Sequence, residues 1–138
     1  MKRTVLFLFI ATFFIDVYSQ CADTANIVSF TYNGKSYEVI KELKTWQEAS
    51  SCAVQRGGYL VEINDQAEQD AVFDAILNNA GVSPNYVTIN NGGGIAYVWI
   101  GATDQNSEGT WLWDGDNDNN GNNFWNGEGA NGSGSGAA

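Results

Sequence analysis

The stretch from Thr45 to Ile63, TWQEASSCAVQRGGYLVEI, decides how the chain is organised. Thr45 and Glu48 have the spacing of a capping box, in which a hydroxyl and a carboxylate three residues on satisfy the free backbone amides of a helix start. Trp46, Ala49 and Ala53 then share one helical face, and Cys52 rides on the same helix. Gly57-Gly58 closes it, because glycine accepts the left-handed conformation of a last turn. Tyr59 to Ile63 predicts a short strand. A helix followed at once by a strand requires a layered fold rather than a bundle.

Toward the N-terminus, Ile27 to Tyr32 alternates loosely, Asn33-Gly34 is a two-residue turn signal, and Lys35 to Ile40 places Tyr37 and Val39 on one face. Together they predict a β-hairpin. Toward the C-terminus, Asp65 and Glu68 repeat the capping logic and open a second helix to about Asn78, with Val72, Phe73, Ile76 and Leu77 as its apolar side. Residues 81–94, with Pro84 and a run of Asn and Gly, read as loop around a short strand at Tyr86 to Ile89. Ile95 to Ile100 and Thr110 to Trp113 read as strands separated by the polar interval Asp104 to Gly109. Beyond Asp114 the large apolar residues are Phe124 and Trp125 alone, and residues 127–138 are Gly, Ser, Ala and Asn with one Glu. That tail cannot bury a core and reads as a Gly/Ser-rich loop or linker, disordered on its own. Helices and strands do not alternate regularly, so the class is α+β with a small, mostly antiparallel sheet and long irregular loops.

The first residues, Met1-Lys2-Arg3, an apolar run from Val5 to Ile15 and a polar flank to Gln20, have the layout of a secretory signal peptide over 1–19. The run is too short to span a bilayer, so no transmembrane span is expected after cleavage, and a secreted or cell-surface protein is. Formal charge is −10 for the whole chain; without residues 1–19, four basic and fifteen acidic residues leave −11. Phosphate backbones would be repelled, which argues against nucleic acid as a partner. In an oxidising compartment the two cysteines, Cys21 and Cys52, can pair with each other or await partners elsewhere. The chain has no histidine. That removes Ser-His-Asp and Cys-His catalysis and His-ligated zinc, and no carboxylate pair stands in a recognisable catalytic motif, so an enzyme is not expected.

In order and spacing, several motifs resemble the C-type lectin-like domain family: Tyr37-Glu38-Val39, Trp46-Gln47-Glu48-Ala49 leading to Cys52, Gly57 to Ile63 followed by Glu68-Gln69, Trp99-Ile100-Gly101-Ala102, and Gly109 to Gly115. The match runs from about residue 27 to 115. It implies the C-type lectin-like fold, incomplete, as a partial domain over 27–126 preceded by an N-terminal segment at 20–26. It also implies an extracellular recognition module for a carbohydrate or glycoprotein ligand, calcium-assisted in the complete domain, with calcium-independent adhesion or protein binding as the alternative. In the family the cysteine at the place of Cys52 bridges to one in a last strand, which the sequence does not contain. Trp46, Trp99, Ile100, Trp111 and Trp113 read as core. The family's sugar site uses a Glu-Pro-Asn-like triplet, onto which Glu128 and Asn131 can be aligned as a ligand pair. The proline is missing there and one residue is inserted.

The segment from Asp114 to Asn123, DGDNDNNGNN, is the most pointed chemically. Oxygen-bearing side chains at alternating positions followed by a glycine suit a hard cation, so Asp116, Asp118 and Asn120, completed by Asp114, form a candidate calcium set, with Gly121 allowing the bend. The position where an EF-hand would place its glutamate is Gly127.

Overall fold

The computed structural model describes residues 20–83 and 96–127 and the backbone of 135–136. The segment 1–19 expected to be a signal peptide, the expected strand at Tyr86 to Ile89, and Glu128 and Asn131 lie outside the described residues. The hairpin forms as read: β1 (Ile27–Tyr32) and β2 (Lys35–Ile40) pair antiparallel from Ile27 with Ile40 to Tyr32 with Lys35. Asn33 and Gly34 take φ of 48° and 76°. Those left-handed values at both central residues suit the right-handed twist of a two-residue hairpin.

Helix α1 (Trp46–Gln55) starts at the Thr45 capping box and ends where Gly57, at φ 86°, lets the Gly58 amide reach back to the Ala53 carbonyl. Helix α2 (Gln66–Asp74) is capped by Asp65 and runs on as one π-helical turn, Ala75–Asn79, rather than as regular α-helix. A four-stranded antiparallel sheet follows in the order β3 (Ala102–Thr103), β4 (Thr110–Trp113), β5 (Asn122–Asn126) and β6 (Ser135–Gly136). The pair β5–β6 lies where the sequence reads as loop and tail.

Among the described residues, two expected strands do not form. Leu60 to Ile63 joins no ladder but bridges the two halves of the molecule, its Leu60 amide donating to Gly115 O and its Val61 carbonyl accepting from Gly101 N. A Cβ on Gly101 or Gly115 would sit 2.7 or 2.2 Å from the Leu60 carbonyl oxygen, so glycine is what permits the backbones to touch. Residues 96–100 likewise run irregularly, and the ladder begins only at Ala102. Short apolar runs of this kind do not by themselves specify a backbone partner, so the strand signal misled.

Val39, Ala80 and Val82 form a buried cluster, with Val28, Phe30, Ile76 and Ala96 packed on it. Trp46 is 8% exposed and hydrogen-bonds through its indole to the Ile100 carbonyl. Trp99, expected in the core, is 51% exposed, its indole held by the Lys44 carbonyl. The most buried part of α1 is not its alanine face but Ser50 and Cys52, with the Ser50 hydroxyl donating to Gly115 O.

Candidate metal centre

Strand β4 delivers the site. Leaving Trp113, the Asp114 amide bonds to Gly101 O, which fixes the chain as the loop begins. Asp114 is 2% exposed, and its carboxylate turns back to accept from the amides of Asp118 (3.1 Å) and Asn119 (3.2 Å). An acidic side chain capping its own loop in this way replaces the backbone ladder that ended at Trp113. Asn117 and Asn119 adopt φ of 59° and 67°. Asparagine tolerates that region better than other side chains, which is a physical reason for the Asn-rich composition. Their amide oxygens are held from outside the loop by Gln105 and Asn106.

Gly121 is needed for a closer reason than a bend. A Cβ there would lie 2.4 Å from Trp113 O and 2.6 Å from Asp114 Cβ, so the returning chain passes directly over the root of the loop. The result is that Asp114, Asp116 and Asp118 each offer an oxygen, all within 4.8 Å of one another. Asn120 gives its backbone and side-chain nitrogens to Asp118, at 2.8 and 3.0 Å. Those bonds hold the Asp118 carboxyl below its usual pKa. Asn120 therefore stands behind a ligand.

Outside that cluster, Glu62 has its pKa raised, first by burial and then by the charge of Asp116. It arrives on the irregular 60–63 segment, a placement no local motif encodes. Clustered carboxylates repel unless a cation joins them, and oxygens on opposite sides of a calcium ion at ~2.4 Å each would be about 4.8 Å apart. The residues present therefore fit a hard cation held by oxygen alone.

The sequence matches the Lectin C-type domain family over residues 42–137, past the point at which the individual motifs fade. Rat "C-type lectin domain family 4 member F" is 33% identical over 80 residues, covering 58% of this chain and 12% of that protein. A snaclec of Deinagkistrodon acutus named as an anticoagulant protein is 32% identical over 107 residues, 74% of this chain and 63% of that protein. A snaclec of Gloydius halys named as a coagulation factor IX-binding protein is 33% identical over 79 residues, 56% of each. The chain thus spans less than two thirds of the length of these relatives. No solved structure matches it significantly. The chain belongs to the C-type lectin domain family, with its α+β fold, and is a lectin-like recognition module rather than an enzyme. No helix among the described residues is long and apolar enough to cross a membrane.

Proposed function

We propose that the protein is a secreted or cell-surface recognition module that binds carbohydrate, on a free glycan or a glycoprotein, with the help of a calcium ion held by the loop from Asp114 to Asn120. The observation that carries the reading is the convergence of Asp114, Asp116 and Asp118 within 4.8 Å on one loop of a lectin-family domain. Calcium takes six to eight oxygens, so three carboxylates leave room for backbone carbonyls, water and the hydroxyls of a sugar. Sugar hydroxyls displace water from the ion while the neighbouring amides exchange hydrogen bonds with them.

Calorimetry with calcium is the direct test of the cation. Saturable heat below millimolar calcium, lost in Asp116→Asn/Asp118→Asn, is expected; no heat at millimolar calcium removes the cation from the reading. A glycan array with calcium and with chelator then tests the ligand. A second reading, calcium-independent protein binding, draws on the relative named for binding coagulation factor IX and on the missing proline between Glu128 and Asn131. Binding to protein that persists in chelator, with no glycan retained, selects it.

A further inference from the structure

An asparagine followed by glycine is open to spontaneous loss of its side-chain amide, because a glycine nitrogen meets no side chain of its own on the way to the carboxamide carbon before it. Three such pairs fall among the described residues: Asn33-Gly34, Asn120-Gly121 and Asn126-Gly127. The fold does not treat them alike.

Two of them are held. Ring closure requires the asparagine backbone to rotate until its carboxamide lies over the next amide nitrogen. Asn33 is fixed between the paired residues Tyr32 and Lys35, in a left-handed turn with φ of 48°. Asn126 lies in a strand paired on both sides, and the Gly127 amide is engaged with the Gly109 carbonyl at 2.7 Å. An amide already hydrogen-bonded must give up that bond before it can attack.

Asn120, by contrast, is exposed and belongs to no helix or strand, and the Gly121 amide makes no hydrogen bond among the described residues. The fold also forbids a bulkier neighbour, since a Cβ at Gly121 would sit 2.4 Å from Trp113 O. Packing at the root of the loop therefore keeps the reactive pair in place. The product would stand beside the cation site. Asn120 Nδ2 donates to Asp118 Oδ2 at 3.0 Å, next to the three converging aspartates. An oxygen in place of that nitrogen turns the bond into a contact between two carboxylates, which repel unless a cation joins them.

We propose that Asn120 is a modification site, at which water converts the carboxamide to a carboxylate and so gives the cation loop a fourth acidic ligand. The Gly121 nitrogen loses its proton and attacks Asn120 Cγ. The new C–N bond closes a five-membered imide, the Cγ–Nδ2 bond breaks, and ammonia leaves carrying that proton. Water then opens the imide at either carbonyl, giving aspartate, or isoaspartate with the chain routed through the side chain. One water is consumed and one ammonia released, with no oxidation or reduction. The gain in cation binding rests on the cation reading of the loop, whereas the modification does not.

The purified full chain is aged in neutral, calcium-free buffer at body temperature, and each Asn-Gly peptide is followed by mass, with isoaspartyl methyltransferase marking the rearranged product. The pairs at Asn91 and Asn131 lie outside the described residues and are read as separate peptides. Expected is a one-dalton gain at Asn120 about 10-fold faster than at Asn126, whose glycine must first break its hydrogen bond. Asn120→Gln, for which the ring would have six members, is expected to show none at that position. Calcium calorimetry then compares Asn120→Asp, which fixes the direct product, with Asn120→Gln and the unaged chain, and binding about 10-fold tighter in the aspartate variant is expected. Equal rates at Asn120 and Asn126, or no gain at Asn120, overturn the modification; equal or weaker calcium binding by Asn120→Asp overturns its consequence. No heat from any of the three defeats the cation reading and the consequence together, while the mass readout still decides the modification.

Discussion

Glu68 shows how a single side chain joins the hairpin to the second helix. It is 5% exposed, and burial alone would raise its pKa. The Tyr37 hydroxyl at 2.7 Å, the Asn64 amide and side chain, and Lys35 outweigh that, so the net shift is downward. A depressed carboxylate contributes stability above its unfolded pKa and loses it as pH falls through the folded value. Glu68→Ala strands a phenol and a backbone amide, and is expected to cost about 2 kcal/mol in urea denaturation. The phenol behaves oppositely: Tyr37 is pushed up to about 12 by burial and by Glu68. A raised pKa gives stability that is whole below the unfolded value of about 10 and lost as pH rises toward 12. Urea midpoints measured from pH 9 to 12 should therefore fall, and the fall should flatten in Tyr37→Phe.

Among the elements, the helix starts were legible and the close approaches were not. Thr45 and Asp65 cap their helices through side-chain acceptors as their spacing requires, because a cap is made within four residues. Asp65→Ala is expected to destabilise by about 1 kcal/mol, checked by chemical denaturation followed through helix circular dichroism. Gly115 gives no local signal beyond its place after Asp114. Its Cα hydrogen faces the Leu60 carbonyl, so Gly115→Ala must displace backbone. A loss of about 3 kcal/mol or more is expected, seen as a lowered melting temperature. An unchanged melting temperature would show that the 60–63 bridge has room for a methyl group.

At the scale of the molecule, Cys21 and Cys52 are joined by a disulfide that ties the N-terminal segment to α1 across 31 residues. A closed loop of that size restricts the unfolded chain, and Cys21→Ser with Cys52→Ser is expected to cost about 3 kcal/mol. Differential scanning calorimetry of the double variant measures it.

The sequence by itself determined the hairpin at Asn33-Gly34, the two helix starts, the β4 strand, the family, and the loop whose aspartates converge, since each depends on short-range geometry or on motifs in order. Tertiary structure alone decided that Leu60 to Ile63 bridges rather than pairs, that the charge of Asp116 reaches Glu62, that Trp99 faces water, and that Ser50 is buried. The physical reason is the range of the forces involved. A cap or a two-residue turn is satisfied by its neighbours, whereas the partner of an amide such as that of Leu60, the Gly115 carbonyl, is chosen some fifty residues away by where a side chain is missing.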